Sequence, residues 1–398
     1  MKTFNTLMVS GSAAALALLA APVAAAPVFV TTNADGFGVP GSFRAALEAA
    51  TGDPSIDVIR FARDLGTVQL IDTVAYGGTQ SLRIDGRATA IAGDGTFDLL
   101  VSSGGGDLTL RQIGFSDGLN GIVVEVPADA DGEHSTALFD VTVENNGEYG
   151  LLIDDETNGG SNAGIGLDIA WSRFVGNGAD LVPGVIEDLD GVRVNERGEG
   201  DITATIHASE FTGNGADGYE LDEGGPGDVT LMIRRSRFDG NGLFEPEGDD
   251  GIDVDEADGG SIWLRVVGAT FNGNSDDGIG IDESGDGDLM MSLVRVQMSD
   301  VGDKGLSADE GDAGDLDLKA LLVAADGNVQ DGLNFEEAGD GDLFARVVRS
   351  AFRDNGQAGI DVTQGDAGQG TLRLQNVRFD NNGDGPVDPD GVEVVGGP

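Results

Sequence analysis

The run GLNFEEAGDGDLFARVVRSAFRDNGQA, residues 332–358, decides the fold, because its pattern returns again and again along the second half of the chain. An x-Gly-apolar-x-apolar motif recurs at Gly191, Gly218, Gly251, Gly278, Gly305, Gly332, Gly359 and Gly391, spaced 27, 33, 27, 27, 27, 27 and 32 residues apart. Periodicity on this scale marks a solenoid of stacked coils. Both long intervals carry their extra residues just before the next anchor, at Leu243 to Gly248 and near Gly385 to Pro389, so one corner of the coil tolerates insertion. Less regular copies precede, near Gly121 and Gly150.

Counted from each anchor, positions +1 and +3 are apolar, as in Val192/Val194, Ile252/Val254, Ile279/Ile281 and Leu333/Phe335. Alternation of period two is a strand with one buried face. Position +9 is glycine in every complete copy, from Gly200 to Gly368, as at a corner that needs positive φ or close backbone approach. A second alternating strand follows, as in Leu343/Ala345/Val347. Position +20 is mostly phenylalanine (Phe211, Phe238, Phe271, Phe352, Phe379), and +23 is mostly asparagine (Asn214, Asn241, Asn274, Asn328, Asn355, Asn382). One coil therefore holds about three short strands. Stacking predicts a phenylalanine column in the core and an asparagine ladder at a corner.

Composition agrees with this reading. Of 398 residues 66 are glycine, roughly 17% against a typical 7%, too many for a helical protein. Lys and Arg number 22 against 71 Asp and Glu, a formal charge of −49. Such a chain repels phosphate backbones and anionic lipid, which excludes nucleic-acid binding and electrostatic membrane attachment. With no cysteine, thiol nucleophiles and thiolate metal sites are absent, and His134 and His207 alone leave little for zinc or a histidine-based triad. At the N-terminus, Lys2 precedes an apolar run from Ala13 to Ala21, and Val23 and Ala25 are small residues at a peptidase site. Residues 1–25 read as a signal peptide, so the protein is expected to be exported to the periplasm, cell surface or exterior without a membrane span in its mature form.

These residues resemble the right-handed parallel β-helix, the pectin-lyase-like fold. The resemblance implies an all-β solenoid of about 27-residue coils over residues 61–398, regular from about 191, preceded at 26–60 by a strand and a capping helix. In that lead-in Ser42 is a good N-cap, and Phe43, Ala46, Leu47 and Ala50 share one helical face.

Two stripes carry the candidate chemistry. Acidic pairs recur at +4 and +5: Asp222/Glu223, Asp255/Glu256, Asp282/Glu283 and Asp309/Glu310. Stacked carboxylates about 4.8 Å apart repel and must be offset. Calcium bridging between coils is one expectation for these eight residues, and a hydrated acidic face is the other. On the second strand, Arg265, Lys319, Arg346 and Arg373 form an outward cationic stripe beside Trp263 and Phe344. Rings next to cations suit an acidic or neutral polysaccharide, or else pack beneath a loop or at an oligomer contact.

Catalytic residues are not identifiable. The resemblance implies lyase or hydrolase relatives, yet the acids and bases lie on different strands, and the pairs Asp154-Asp155, Asp249-Asp250 and Asp276-Asp277 come without Arg-x-Lys or His-Gly motifs. The expected role is a non-catalytic, cation-stabilised, polysaccharide-binding protein. The alternatives are a glycan-cleaving enzyme and a protein that self-assembles through its C-terminal end, where only Val392 and Val394 offer a cap.

Overall fold

The computed structural model describes residues 27–155, 160–179, 189–242, 249–365 and 367–397. The expected signal peptide and the 243–248 insertion lie outside them. Among the described residues there are 36 strands and one helix, α1 (Phe43–Gly52). Each regular coil contributes three strands, such as Ile252–Glu256, Ile262–Val267 and Thr270–Asn272. The first strands form a 12-stranded sheet, and the second and third join a 24-stranded one.

Every rung pairs with its own copy in parallel. Ile252 faces Ile279, Leu289 faces Leu316, and Leu316 faces Leu343. Register survives the 33-residue interval, since Tyr219 pairs with Ile252. The protein is a parallel β-helix.

Inside it, Phe174, Phe211, Phe238 and Phe271 stack with ring centroids 5.1, 4.7 and 5.1 Å apart and planes within 7°. Met298 and Ala325 fill the next two rungs before Phe352 and Phe379 resume at 5.4 Å. The asparagines form the expected ladder. The side-chain amide of Asn177 donates to Asn214 at 3.1 Å, Asn214 to Asn241 at 3.0 Å and Asn241 to Asn274 at 3.1 Å. Val301 interrupts it, and Asn355 to Asn382 continues it at 2.9 Å.

The +9 glycines serve close approach and not positive φ. A Cβ on Gly314 would lie 1.4 Å from the Gly287 carbonyl oxygen, and one on Gly341 1.5 Å from that of Gly314. Positive φ falls instead at +17, the sharp corner after the second strand. Arg235, Arg295, Leu322 and Arg349 adopt it there with φ of 55°, 57°, 58° and 52°.

Helix α1 starts where Ser42 Oγ accepts the Ala45 N–H at 3.1 Å, and it buries Phe43, Ala46, Leu47 and Ala50 in the common core. Buried Arg44 ties it down through Asp35 at 2.7 Å and the carbonyls of Asp72 and Thr73. No described helix is long and apolar enough to cross a membrane.

Gly314→Ala should destabilise the fold by about 2–3 kcal/mol, because backbone and not a flexible side chain occupies the space a methyl would need. Gly259→Ala, with nothing within 4 Å, should leave the midpoint nearly unchanged. Urea melts of the two variants check this.

Candidate functional site

Two register columns lie side by side on the outer face of the second strands. Thr230, Trp263, Met290, Asp317, Phe344 and Thr371 form one, and Met232, Arg265, Ser292, Lys319, Arg346 and Arg373 the other. Both face outward because strand alternation turns Leu231, Leu264, Met291 and Leu318 into the core. Trp263 is 37% exposed. With Met232, Met290, Arg265, Asp317 and Lys319 it lines a shallow hollow of about 280 Å³. Its Nε1–H points at Met290 Sδ, 3.2 Å away, and Lys319 Nζ donates to Asp317 at 2.8 Å. Farther along, the Arg373 guanidinium lies 5.2 Å from the centre of the Phe344 ring, and Arg346 donates to Gln375 at 3.3 Å. The predicted stripe therefore resolves into two groups: Trp263, Arg265 and Lys319 in the hollow, and Phe344, Arg346 and Arg373 beyond it.

Sequence reasoning missed a second row of cations on the adjoining ridge. Arg235, Arg295 and Arg349 are exposed at +17, on alternate coils, and make no ion pair among the described residues. Counting to +17 finds them, but only one coil, at Gly268, carries the glycine that usually marks such a corner. The face thus gathers free positive charge in a chain with a large acidic excess.

The acidic pairs are split across the first sheet. Asp255, Asp282 and Asp309 turn away from the core, whereas Glu223, Glu256, Glu283 and Glu310 are sealed inside the corner at 0–1% exposure. Asp222 is held by Arg197 at 2.7 Å and approached by Arg193 at 3.6 Å. Acids and bases are therefore less segregated than the sequence suggests, since Arg193, Arg197 and Lys304 all sit on the acidic side.

A further acidic row, seen in the sequence only as the pairs Asp249-Asp250 and Asp276-Asp277, runs at the position before most anchors, interrupted by Lys304 and Ala358. Asp190, Asp250 and Asp331 each accept the backbone N–H of the same position one coil on, at 2.9, 2.7 and 2.7 Å, and Asp217 does likewise with Asp250. Burial first, then the neighbouring Asp253 and Asp250, holds Asp217 well above the ordinary carboxyl range. Burial pushes Asp277 up to about 7 against the opposing pull of Lys304. Two carboxylate triplets here bring oxygens within 4.8 Å of one another, Asp190/Asp217/Glu220 and Asp276/Asp277/Asp303. Arg193 pairs into the first, at 3.3 Å from Asp190 and in closer contact with Glu220. Lys304 pairs with Asp303 of the second at 3.0 Å. The histidines stand apart: His134 is buried, and His207 meets the exposed Trp171 edge-on at 5.6 Å.

No family model and no curated protein matches the chain. Among solved structures, ORF18 of Geobacillus virus E2 is similar at 11% identity and a TM-score of 0.41, over 93% of this chain and 62% of its own, so the chain spans less than two thirds of it. The periplasmic alginate epimerase AlgG is similar at 10% identity and a TM-score of 0.39, over 85% of this chain and 77% of its own. The catalytic domain of a GH87 alpha-1,3-glucanase is similar at 11% identity and a TM-score of 0.42, over 92% and 68%. The fold assignment rests on the strand register itself.

Arg193→Ala would strip the counter-charge from Asp190 and Glu220, whose side chains are 0% and 5% exposed. We expect a loss of about 3 kcal/mol at pH 7. The loss should shrink toward pH 5, where protons taken up within the triplet, whose Asp217 burial already raises, lessen the uncompensated charge. Denaturant melts at the two pH values measure both quantities.

Proposed function

We propose that this chain is an exported, non-catalytic β-helix protein that binds a polysaccharide along the outer face of its second strands. The observation that carries this reading is the hollow in which an exposed indole, two thioethers and two cationic side chains meet on a rigid sheet. A sugar ring offers an apolar face of C–H bonds and a rim of hydroxyl or carboxylate groups. Trp263 with Met232 and Met290 suits the first, and Arg265 and Lys319 suit the second. The site stands on strands fixed by register, so it needs no reorganisation to bind. In this reading the coil winds right-handed, and α1 seals the first turn against edge-to-edge pairing.

Trp263→Ala should weaken binding to a polysaccharide that the wild type retains by about tenfold or more, with the melting midpoint little changed because the ring is partly exposed. Affinity electrophoresis in gels cast with acidic and neutral polysaccharides reads the loss. Unchanged mobility would remove this site. The polymer recovered from the same incubations should keep its length; shortening would indict half-buried Asp250 and buried Asp277 as a cleaving pair.

Cation stabilisation belongs to the same reading and is supported by the Asp276/Asp277/Asp303 triplet, whose oxygens suit a hard cation. Calcium held there at a hundredfold excess over its Kd would stabilise the native state by about 2.7 kcal/mol. Melting in chelator, in millimolar calcium and in sodium chloride of matched ionic strength separates this from simple screening: calcium should raise the midpoint well beyond sodium. Equal midpoints would reduce the triplet to a solvated group.

A further inference from the structure

The sealed glutamates form one continuous column. Glu196, Glu223, Glu256, Glu283, Glu310 and Glu337 are register partners in consecutive coils. Asp155 stands below them beside Glu196, and Gln364 pairs above Glu337. All six glutamates and Asp155 are at most 1% exposed. In four rungs one carboxyl oxygen accepts the N–H two residues on: Gly198 at 2.9 Å, Gly225 at 2.9 Å, Gly285 at 3.0 Å and Gly339 at 2.9 Å. Glu256 accepts from Asp258 and Gly260. One oxygen of Asp155 and of each glutamate, and both of Glu310, has no donor at all. Neighbouring rungs lie within hydrogen-bonding reach of one another: Glu196 with Glu223, Glu223 with Glu256, Glu256 with Glu283, Glu283 with Glu310 and Glu310 with Glu337.

Buried acceptors that face one another need something between them. Among the described residues no basic side chain supplies it. Arg197 gives its guanidinium to Asp222 and to the Glu196 carbonyl. His134, near Asp155 at the lower end, is buried with both ring nitrogens unpartnered; burial lowers its pKa, against the pull of Asp107 and Asp155. The other charged groups that face the column are Asp154 beside Asp155 and Asp315 beside Glu337, both acids. A hard cation wants several oxygens around it, whereas a rung meets only the rungs above and below. The carboxylate triplets among the described residues lie elsewhere. A proton needs two oxygens. Gln364 shows that the position works without charge: its Oε1 accepts from Leu343 at 2.9 Å, and its Nε2 donates to the Gly341 carbonyl at 3.1 Å. An amide is the neutral isostere of a protonated glutamic acid.

We propose that this column is a proton-binding site, in which about one carboxyl group in two keeps its proton in the folded coil at neutral pH and donates it to the carboxylate of the next rung. Burial first, then the adjoining rungs, push Glu223 up to about 10 and Glu310 up to about 9; Glu283 is pushed up to about 8 by burial and Glu256 against the opposing pull of Glu310. The column titrates as a unit and not rung by rung. Unfolded glutamates lose their protons near pH 4.5. The stabilisation is therefore complete below that pH and drains away as pH rises toward 8–10, the folding constant falling about tenfold per pH unit for each proton retained.

The test compares the full-length wild type with the triple variant E223Q/E283Q/E310Q. Calorimetric unfolding at pH 7.5 in buffers of different ionisation enthalpy counts the protons released. Infrared spectra of the folded proteins show the carbonyl stretch of protonated carboxyl groups. We expect the variant to release about three fewer protons than the wild type, to lose part of the protonated-carboxyl band and to melt with a flatter pH dependence between 5 and 9. The comparison cancels the raised Asp217, Asp250 and Asp277, which are common to both proteins. Equal proton release, or an unchanged band, would overturn the proposal. So would a stoichiometric metal, found by elemental analysis of the dialysed wild type and lost in the variant. If the triple variant does not fold, the single variant E283Q decides: it should release about one proton fewer than the wild type and lose part of the band, and equal release or an unchanged band contradicts the site.

Discussion

Each side chain in this molecule meets a copy of its own position about 4.8 Å away, in the coil above and in the coil below. That constraint follows from in-register parallel pairing, and nearly everything else follows from it. Residue types that pack or bond well with themselves can be repeated without limit. Phenylalanine stacks ring on ring, asparagine passes its amide up the ladder, and glycine at +9 lets two backbones approach where a methyl group could not fit. The strand-to-strand pairing survives a 33-residue interval, since Tyr219 still pairs with Ile252.

Charge is the type that repetition penalises, at about 0.9 kcal/mol for two carboxylates one rung apart in water and several-fold more where water is excluded. The chain meets the problem differently at each position. On the outer acidic side, arginine or lysine enters where acids converge, as Arg193 does among Asp190, Glu220 and Asp222. In the row before the anchors, each aspartate takes a backbone N–H from the next coil. In the corner, the glutamates face one another in a dry column. On the second strands the cations outnumber the acids, Asp317 being the partner of Lys319, and this local excess leaves a face where a ligand can meet Trp263, Arg265 and Lys319 in a chain whose net charge is −49.

Most of the architecture was legible in the sequence because in-register stacking turns structure into period. The glycine anchors, the phenylalanine column and the asparagine ladder are each one residue type at one interval. The orientation of +12 and +14 was legible by alternation, and exposed Trp263 and Arg265 follow it. The glutamates show where composition misleads. Alternation from +1 and +3 sends +5 inward, but a carboxylate reads as a surface group, and the pairs with +4 were read as one solvent-facing column. The reason the corner takes a glutamate is the backbone N–H two residues later, which no periodicity reveals. The ridge at +17 was hidden for the opposite reason: arginine and leucine occupy a positive-φ corner where glycine is the usual signal.

In-register stacking itself can be measured along one column. The chain has no cysteine, so spin labels can be placed at will. Arg265, Ser292, Lys319, Arg346 and Arg373 are successive rungs. Label pairs at 265 and 319, 265 and 346, and 265 and 373 should give backbone separations of about 10, 14 and 19 Å, rising by about 4.8 Å for each coil crossed. Separations that do not rise in equal steps would contradict the stacking on which the columns, the ladder and the binding face all depend.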